Sequence, residues 1–375
     1  MKNTFGSNVC LTIFGESHGP AVGAVLDGLP AGLPVEESFL ASCMDKRRAR
    51  GDGLSTARTE ADIVHILSGV YHGRTTGTPI TLEIQNQNTR SADYEKTAQL
   101  LRPGHADYTA YAKYHGWQDA RGGGHFSGRI TTGLTAAGAI CLSALQAKGI
   151  FIATHLYRCA GIADTPFSGD VPQQLAQQVQ QVQQCTGFPL IDPSVEAAMQ
   201  SEIRKAGAEG DSTGGILETA IISLPAGVGE PFFDSVESSL AHMTLSIPAV
   251  KGIEFGSGFA FADLLGSQAN DTLRWENDHA VFATNHNGGI NGGITNGMPI
   301  LFRTAIKPTP SIFKPQQTIS WPDGGNADLQ LQGRHDPCIA PRAAIVQTCA
   351  AAVAVCDLLC AWNGSQWLRP DASIL

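Results

Sequence analysis

The stretch that decides the fold is GESHGPAVGAVLDGLPAGL, residues Gly15 to Leu33. A short apolar run, Val9 to Phe14, precedes it, and a second, Val22 to Leu26, lies inside it. Both read as strands bounded by glycine and proline. Glu16, Ser17 and His18 therefore fall where the backbone turns and comes close to a ligand. Two other segments share this make-up: Arg102-Pro103-Gly104-His105-Ala106-Asp107 and Arg334-His335-Asp336-Pro337-Cys338. First and last are more than 300 residues apart. If they converge, they build a site with several imidazoles, a carboxylate and guanidiniums. Such a site suits acid–base work on a phosphorylated or carboxylated small molecule.

Working outward, Ile80 to Ile84, Ile216 to Leu224 and Ile300 to Ile306 also read as strands. Leu134, Gly138, Cys141 and Leu145 form one helical stripe, and Ile345, Cys349, Ala352 and Cys356 another. Their small residues let helices approach closely. Leu175, Val179 and Val182 face inward on a third helix, whose glutamines are expected to be exposed. No repeat, linker or composition break divides the chain. One large α+β domain over residues 1–375 is expected.

Of the 375 residues, 42% are hydrophobic and only 16% charged, which excludes an extended or disordered chain and hints at surface hidden in an oligomer. The net charge of −9 argues against nucleic acid as a partner. Against it stands a basic cluster, Lys46, Arg47, Arg48 and Arg50 with Arg58 beyond: a solvated helix end or a pocket for an anion. Nine cysteines lack metal-ligand spacing and contain no CxxC; with no signal peptide evident, a reducing cytoplasm is expected. Ala343 to Trp362 is strongly apolar but holds Gln347 and Asp357, so it reads as a buried helix and not a membrane span.

There is no Walker A sequence and no GxGxxG after a strand, so a nucleotide-binding Rossmann half is unsupported. Gly122-Gly123-Gly124 precedes a helix and either presents N–H groups to a phosphate or is a plain loop. A second glycine-rich stretch, Asn287 to Ile294, leads to a strand and then Lys307-Pro308-Thr309-Pro310-Ser311, which is a phosphate-holding turn or a surface turn. Asp336, before Pro337, is a candidate helix N-cap as well as a catalyst.

Taken together these segments resemble the chorismate synthase family along almost the whole chain. The resemblance runs through GESHGPAVGAVLDGLPAGL, RPGHADYT, RGGGHFSGR, EGDSTGG, SIPAVKGIE, GGITNG, KPTPSI and GRHDPCIAPRA. It implies helices sandwiched between two antiparallel sheets, assembled as a homotetramer. It implies a lyase that converts 5-enolpyruvylshikimate 3-phosphate to chorismate and phosphate by anti-1,4-elimination, with reduced FMN as cofactor. By that resemblance His18 is the acid beside the leaving phosphate, His105 stabilises the reduced flavin, and Asp336 helps move the ring proton. Ser17 and Ser127 complete relays. Arg47, Arg102, Arg129 and Arg334 hold the phosphate and two carboxylates. His125, Phe126, Ser127, Ala249, Gly292, Lys307, Pro308, Thr309, Pro310, Ser311 and Arg334 match flavin-contacting positions. Nothing reads as a built-in reductase module, so reduced FMN would come from an external flavin reductase or other source, the point where NADP would enter.

The chain departs from the family pattern in three segments. GGGHFSGR stands where GGGRSSAR is usual, placing His125 and Phe126 in the loop. Gly53 aligns with an arginine, for which either Arg50 substitutes or the loop has shifted, and Thr348 aligns with a glutamate. Histidine carries charge only on the acid side of neutrality, unlike arginine, so weaker anion binding at higher pH is expected. Two rivals stay open: a non-catalytic paralogue that binds flavin or a pathway metabolite, and a flavin-dependent lyase for another phosphorylated cyclic acid.

Overall fold

Strand, tight turn, strand: Cys10–Gly15 pairs antiparallel with Ala21–Asp27, Phe14 opposite Gly23 and Gly15 opposite Val22. The structure is a computed structural model that describes residues 2–56, 60–87, 99–276, 279–321, 323–331, 335–364 and 368. Arg334 and Arg58 lie outside the described residues. Thr4–Phe5 (β1), Cys10–Gly15 (β2), Ala21–Asp27 (β3), His65–Ser68 (β4) and Ile80–Gln85 (β5) form one sheet, ordered β1-β2-β3-β5-β4. Phe151–Cys159 (β6), Ile162–Ala163 (β7), Gly215–Ile222 (β8), Val250–Phe255 (β9) and Ile300–Ile306 (β10) form a second, ordered β9-β10-β8-β6-β7. Every pairing in both sheets is antiparallel.

The described helices of two turns or more are Glu37–Arg47 (α1), Asp107–Tyr114 (α2), Thr131–Ala147 (α3), Pro172–Gln184 (α4), Glu196–Ala208 (α5), Val236–Leu245 (α6) and Ala340–Asn363 (α7). Helix α3 packs on β3 and β5 of the first sheet, α7 packs on β6 and β8 of the second, and α3 and α7 pack on each other. This is the expected sandwich of helices between two antiparallel sheets. Close packing follows from glycine at the crossings. A Cβ on Gly133 would lie 2.5 Å from the Gly23 carbonyl oxygen, and one on Gly138 would lie 2.4 Å from that of Cys349. The stripe expected on α3 widens to the whole circumference, because every residue from Thr131 to Leu142 is buried. A sheet, α1 and α7 all press on it.

Helix α7 is long and apolar enough to cross a membrane, yet 89% of its apolar window is buried inside the protein. Its polar residues have internal partners. Gln347 donates to Thr219 Oγ1 at 2.8 Å and accepts from Thr304 Oγ1 at 2.6 Å. Asp357 accepts from the backbone N–H groups of Ser7, Asn8 and Val9 at 3.1, 2.7 and 2.9 Å, tying the two ends of the chain together. One expectation on α4 fails. Gln178 is buried beside Leu175 and Val179, because its amide bonds the Ser168 N–H and the Pro166 carbonyl.

Candidate active site

The turn after β2 is built by its glycines. Gly15 has φ +97°, a conformation that favours glycine. Asn86 Nδ2 donates to the carbonyls of Glu16 and Gly19 at 3.0 and 2.9 Å, and the Ser17 N–H donates to the Gly124 carbonyl at 3.1 Å. Ser17 and His18 are thereby buried at fixed places. Gly122, Gly123 and Gly124 all have positive φ. A Cβ on Gly122 would lie 2.1 Å from His18 Cε1, and one on Gly123 would lie 3.0 Å from His105 Cε1. The glycine turn is therefore the wall shared by two imidazoles. It does not open a helix directly, since α3 begins only at Thr131.

His105 belongs to a bonded cluster before α2. Its Nδ1 faces Asp107 Oδ1 at 2.7 Å, and Arg102 grips the same carboxylate through Nε and Nη2 at 2.8 and 2.7 Å. Burial pushes the Asp107 carboxyl up, but the bonds from His105 and Arg102 hold it well below the usual range. An ionised Asp107 holds the ring by Nδ1 and leaves Nε2 toward Gly123.

The three quoted segments meet at one cavity of about 990 Å³. Ser17, Arg47, Arg102, His105, His125, Phe126, Ser127, Arg129, Ala249, Lys307, Thr309, Pro310, Ser311, His335 and Asp336 all line it. Among the described residues, His18 is not on that lining; it sits behind Gly122 with Ser17 in front. Pro308 and Gly292 are also off it. Gly292 is in the turn between Ile290–Asn291 and Ile294–Thr295, whose next residue, Gly293, packs on Glu230 and Ser235.

Lys307 is fixed from both sides. Its N–H donates to the Ala249 carbonyl at 2.9 Å and its Nζ to the Gly104 carbonyl at 2.5 Å. Ala249 itself holds φ +76°, strain that a non-glycine residue keeps only where surroundings enforce it. Thr309 Oγ1 is buried with no partner among the described residues, which is costly unless a ligand supplies one. The remaining lining includes Leu11, Ile13, Leu134, Met243 and Val346, an apolar face suited to a flat ring.

Asp336 does not cap a helix: α7 starts at Ala340, with Pro341 in its first turn. Its Oδ1 accepts from the Thr56 N–H at 2.9 Å and from Arg342 Nη1 at 2.6 Å. Burial, and Arg102 next, bring the His335 imidazole down to about 4, so it is neutral at ordinary pH. Three departures find places. His125 Nδ1 donates to the Gly15 carbonyl at 2.8 Å, leaving Nε2 for the cavity. Thr348 is buried against Thr154 at 2.9 Å, away from the site. Arg50 does not replace the arginine missing at Gly53, because it turns to the Thr186 carbonyl and Asp45.

Asp62, Asp107, His335 and Arg342 were not among the residues expected to carry the site. Asp107 and His335 stood inside the quoted segments, and Arg342 follows Asp336 by six residues. Asp62 carried no local signal.

Known proteins answer to this arrangement. The family described as chorismate synthase matches residues 9–360. The chorismate synthase of Lachnoclostridium phytofermentans is 45% identical over 360 residues, covering 95% of each chain. That of Korarchaeum cryptofilum is 42% identical over 355 residues, covering 94% of this chain and 96% of its own. A crystal structure of chorismate synthase matches with a TM-score of 0.76 at 27% identity, over 97% of this chain and 96% of that one.

Proposed function

The chain belongs to the chorismate synthase family, lyases of the shikimate pathway, and from that premise we propose that its cavity binds 5-enolpyruvylshikimate 3-phosphate beside reduced FMN and eliminates phosphate to give chorismate. One observation carries the reading. Ser17, His105, Ser127 and Asp336 share a single cavity with Arg47, Arg102 and Arg129.

Three anionic groups on one small molecule need several cations, and guanidinium forks match carboxylate and phosphate. Arg47, Arg102 and Arg129 hold them. Ser17 presents a proton to the departing phosphate, and His18 behind it supplies that proton. On the opposite side His105, steered by Asp107, offers Nε2 as the proton-bearing atom. Asp336, oriented by Arg342 and Thr56, takes part in removing the ring proton. The apolar face and the partnerless Thr309 Oγ1 fit a flavin, and Lys307, Thr309 and Ser311 would hold it. When bound, reduced FMN supplies electron density to the breaking C–O bond. A homotetramer supplied with reduced flavin by an external reductase completes the proposal, and the nine free cysteines suit a reducing compartment.

The test is an anaerobic assay with the substrate and chemically reduced FMN, following chorismate absorbance and phosphate release. Equal amounts of both products are expected. Phosphate without chorismate, or neither product while FMN still binds, would sink the assignment and point to His125 and Phe126.

A further inference from the structure

Arg47 and Arg129 stand side by side, and both are buried, at 4% and 8% exposure. Two buried cations on one carboxylate repel each other and lose their hydration, so something must offset that cost. Asp62, 6% exposed, lies between them on the same cavity wall. Its Oδ2 accepts from Arg47 Nη1 at 3.0 Å and its Oδ1 from Arg129 Nη1, one oxygen to each guanidinium. The backbone of Asp62 is held at φ +50°, an uncommon conformation for any residue but glycine.

The rest of each fork is also oriented. Arg47 Nε donates to Thr131 Oγ1 at 3.0 Å and its Nη2 to the Gly128 carbonyl at 2.9 Å. Arg129 Nε donates to Asn86 Oδ1 at 2.8 Å and its Nη2 to the Gln85 carbonyl at 3.2 Å. An arginine has five N–H donors, so each keeps donors for a ligand after these bonds are made.

We propose that Asp62 is the positioning residue of the anion site: its carboxylate holds Arg47 and Arg129 at one spacing against the cavity, so that their remaining N–H groups meet one substrate anion together. This rests on the reading that substrate anions sit at these two arginines. The electrostatics point the same way. Burial disfavours the charged form of Arg47, Asp62 and Asp336 oppose that, and Arg342 and Arg129 add to it.

The experiment is calorimetric binding of inorganic sulfate, which does not titrate between pH 7 and 10, to the full-length protein. Wild type, Asp62→Asn, Asp62→Glu and Arg129→Met are compared after melting curves confirm folding. Asp62→Asn should bind about tenfold more weakly at pH 7. Turnover assays should show the loss in KM more than in kcat. Wild-type sulfate affinity in Asp62→Asn, or a loss confined to kcat, would overturn the proposal. If Asp62→Asn does not fold, Asp62→Glu decides: weaker sulfate binding supports it, and unchanged binding overturns it. Undiminished sulfate binding by Arg129→Met would instead remove the anion site itself, a separate failure.

Discussion

Gly122 meets the His18 ring with nothing between them, and a methyl group there would occupy the place of the imidazole. Gly122→Ala also forces alanine to φ +59°, which costs on the order of 1–2 kcal/mol. The ring must move, so turnover should fall at least about a hundredfold. Flavin binding, to which Lys307, Thr309 and Ser311 would also contribute, should fall less than turnover. Steady-state kinetics beside a flavin titration checks this; near-normal kcat would take His18 out of the reaction. At this scale the candidate residues of the site were legible, because a histidine beside glycine announces itself. The residues that orient them were not. Asp62, Asp107 and Arg342 matter through partners brought close by folding, and an aspartate in sequence carries no mark of the arginine it will meet. Asp336 was ambiguous for the same reason: Pro337 suggested a cap, and only the start of α7 at Ala340 decided against it.

Among the elements, β6 and β8 carry an ionic device outside the cavity. His155 is fully buried, with Nδ1 2.8 Å from Asp164 and Nε2 3.1 Å from Glu218. Both ring nitrogens face carboxylates, so the imidazolium is the form that satisfies them. Burial alone would lower its pKa, but the two carboxylates together raise it above the usual value. A raised histidine gives stability that is full below its unfolded pKa of about 6.5 and is lost as pH rises through the folded value. The gap in melting temperature between wild type and His155→Gln should therefore be wide on the acid side and narrow as pH rises through the folded value. A gap constant with pH would mean that the ring is neutral. Strands and helices themselves were readable from short apolar runs and small-residue stripes. What the pattern hid was how many faces each buries: α3 is enclosed all round, and Gln178 looks like its exposed neighbours until the 166–168 loop is seen to need its amide.

For the whole molecule, low charge and several large exposed apolar side chains point the same way. Phe232, Phe233, Phe259 and Trp275 are each more than 70% exposed. Light scattering coupled to size exclusion should give about four times the chain mass of 39.5 kDa. A monomer at micromolar concentration would remove the tetramer and leave those side chains to another partner. The two-sheet sandwich itself was not derivable from periodicity, since β-strand order is set by distant pairings; it came through family resemblance. The carboxylate of Asp357 on the loop from Ser7 to Val9 has a further consequence, for synthesis. The ribosome makes the first sheet early and the helix that covers the second sheet late. At about 5–20 residues per second, the strands near the start wait on the order of tens of seconds for α7 to emerge. Until then α3 and the inner face of the second sheet lack their cover, and a nascent chain stalled before α7 is left with a hollow where its centre should be.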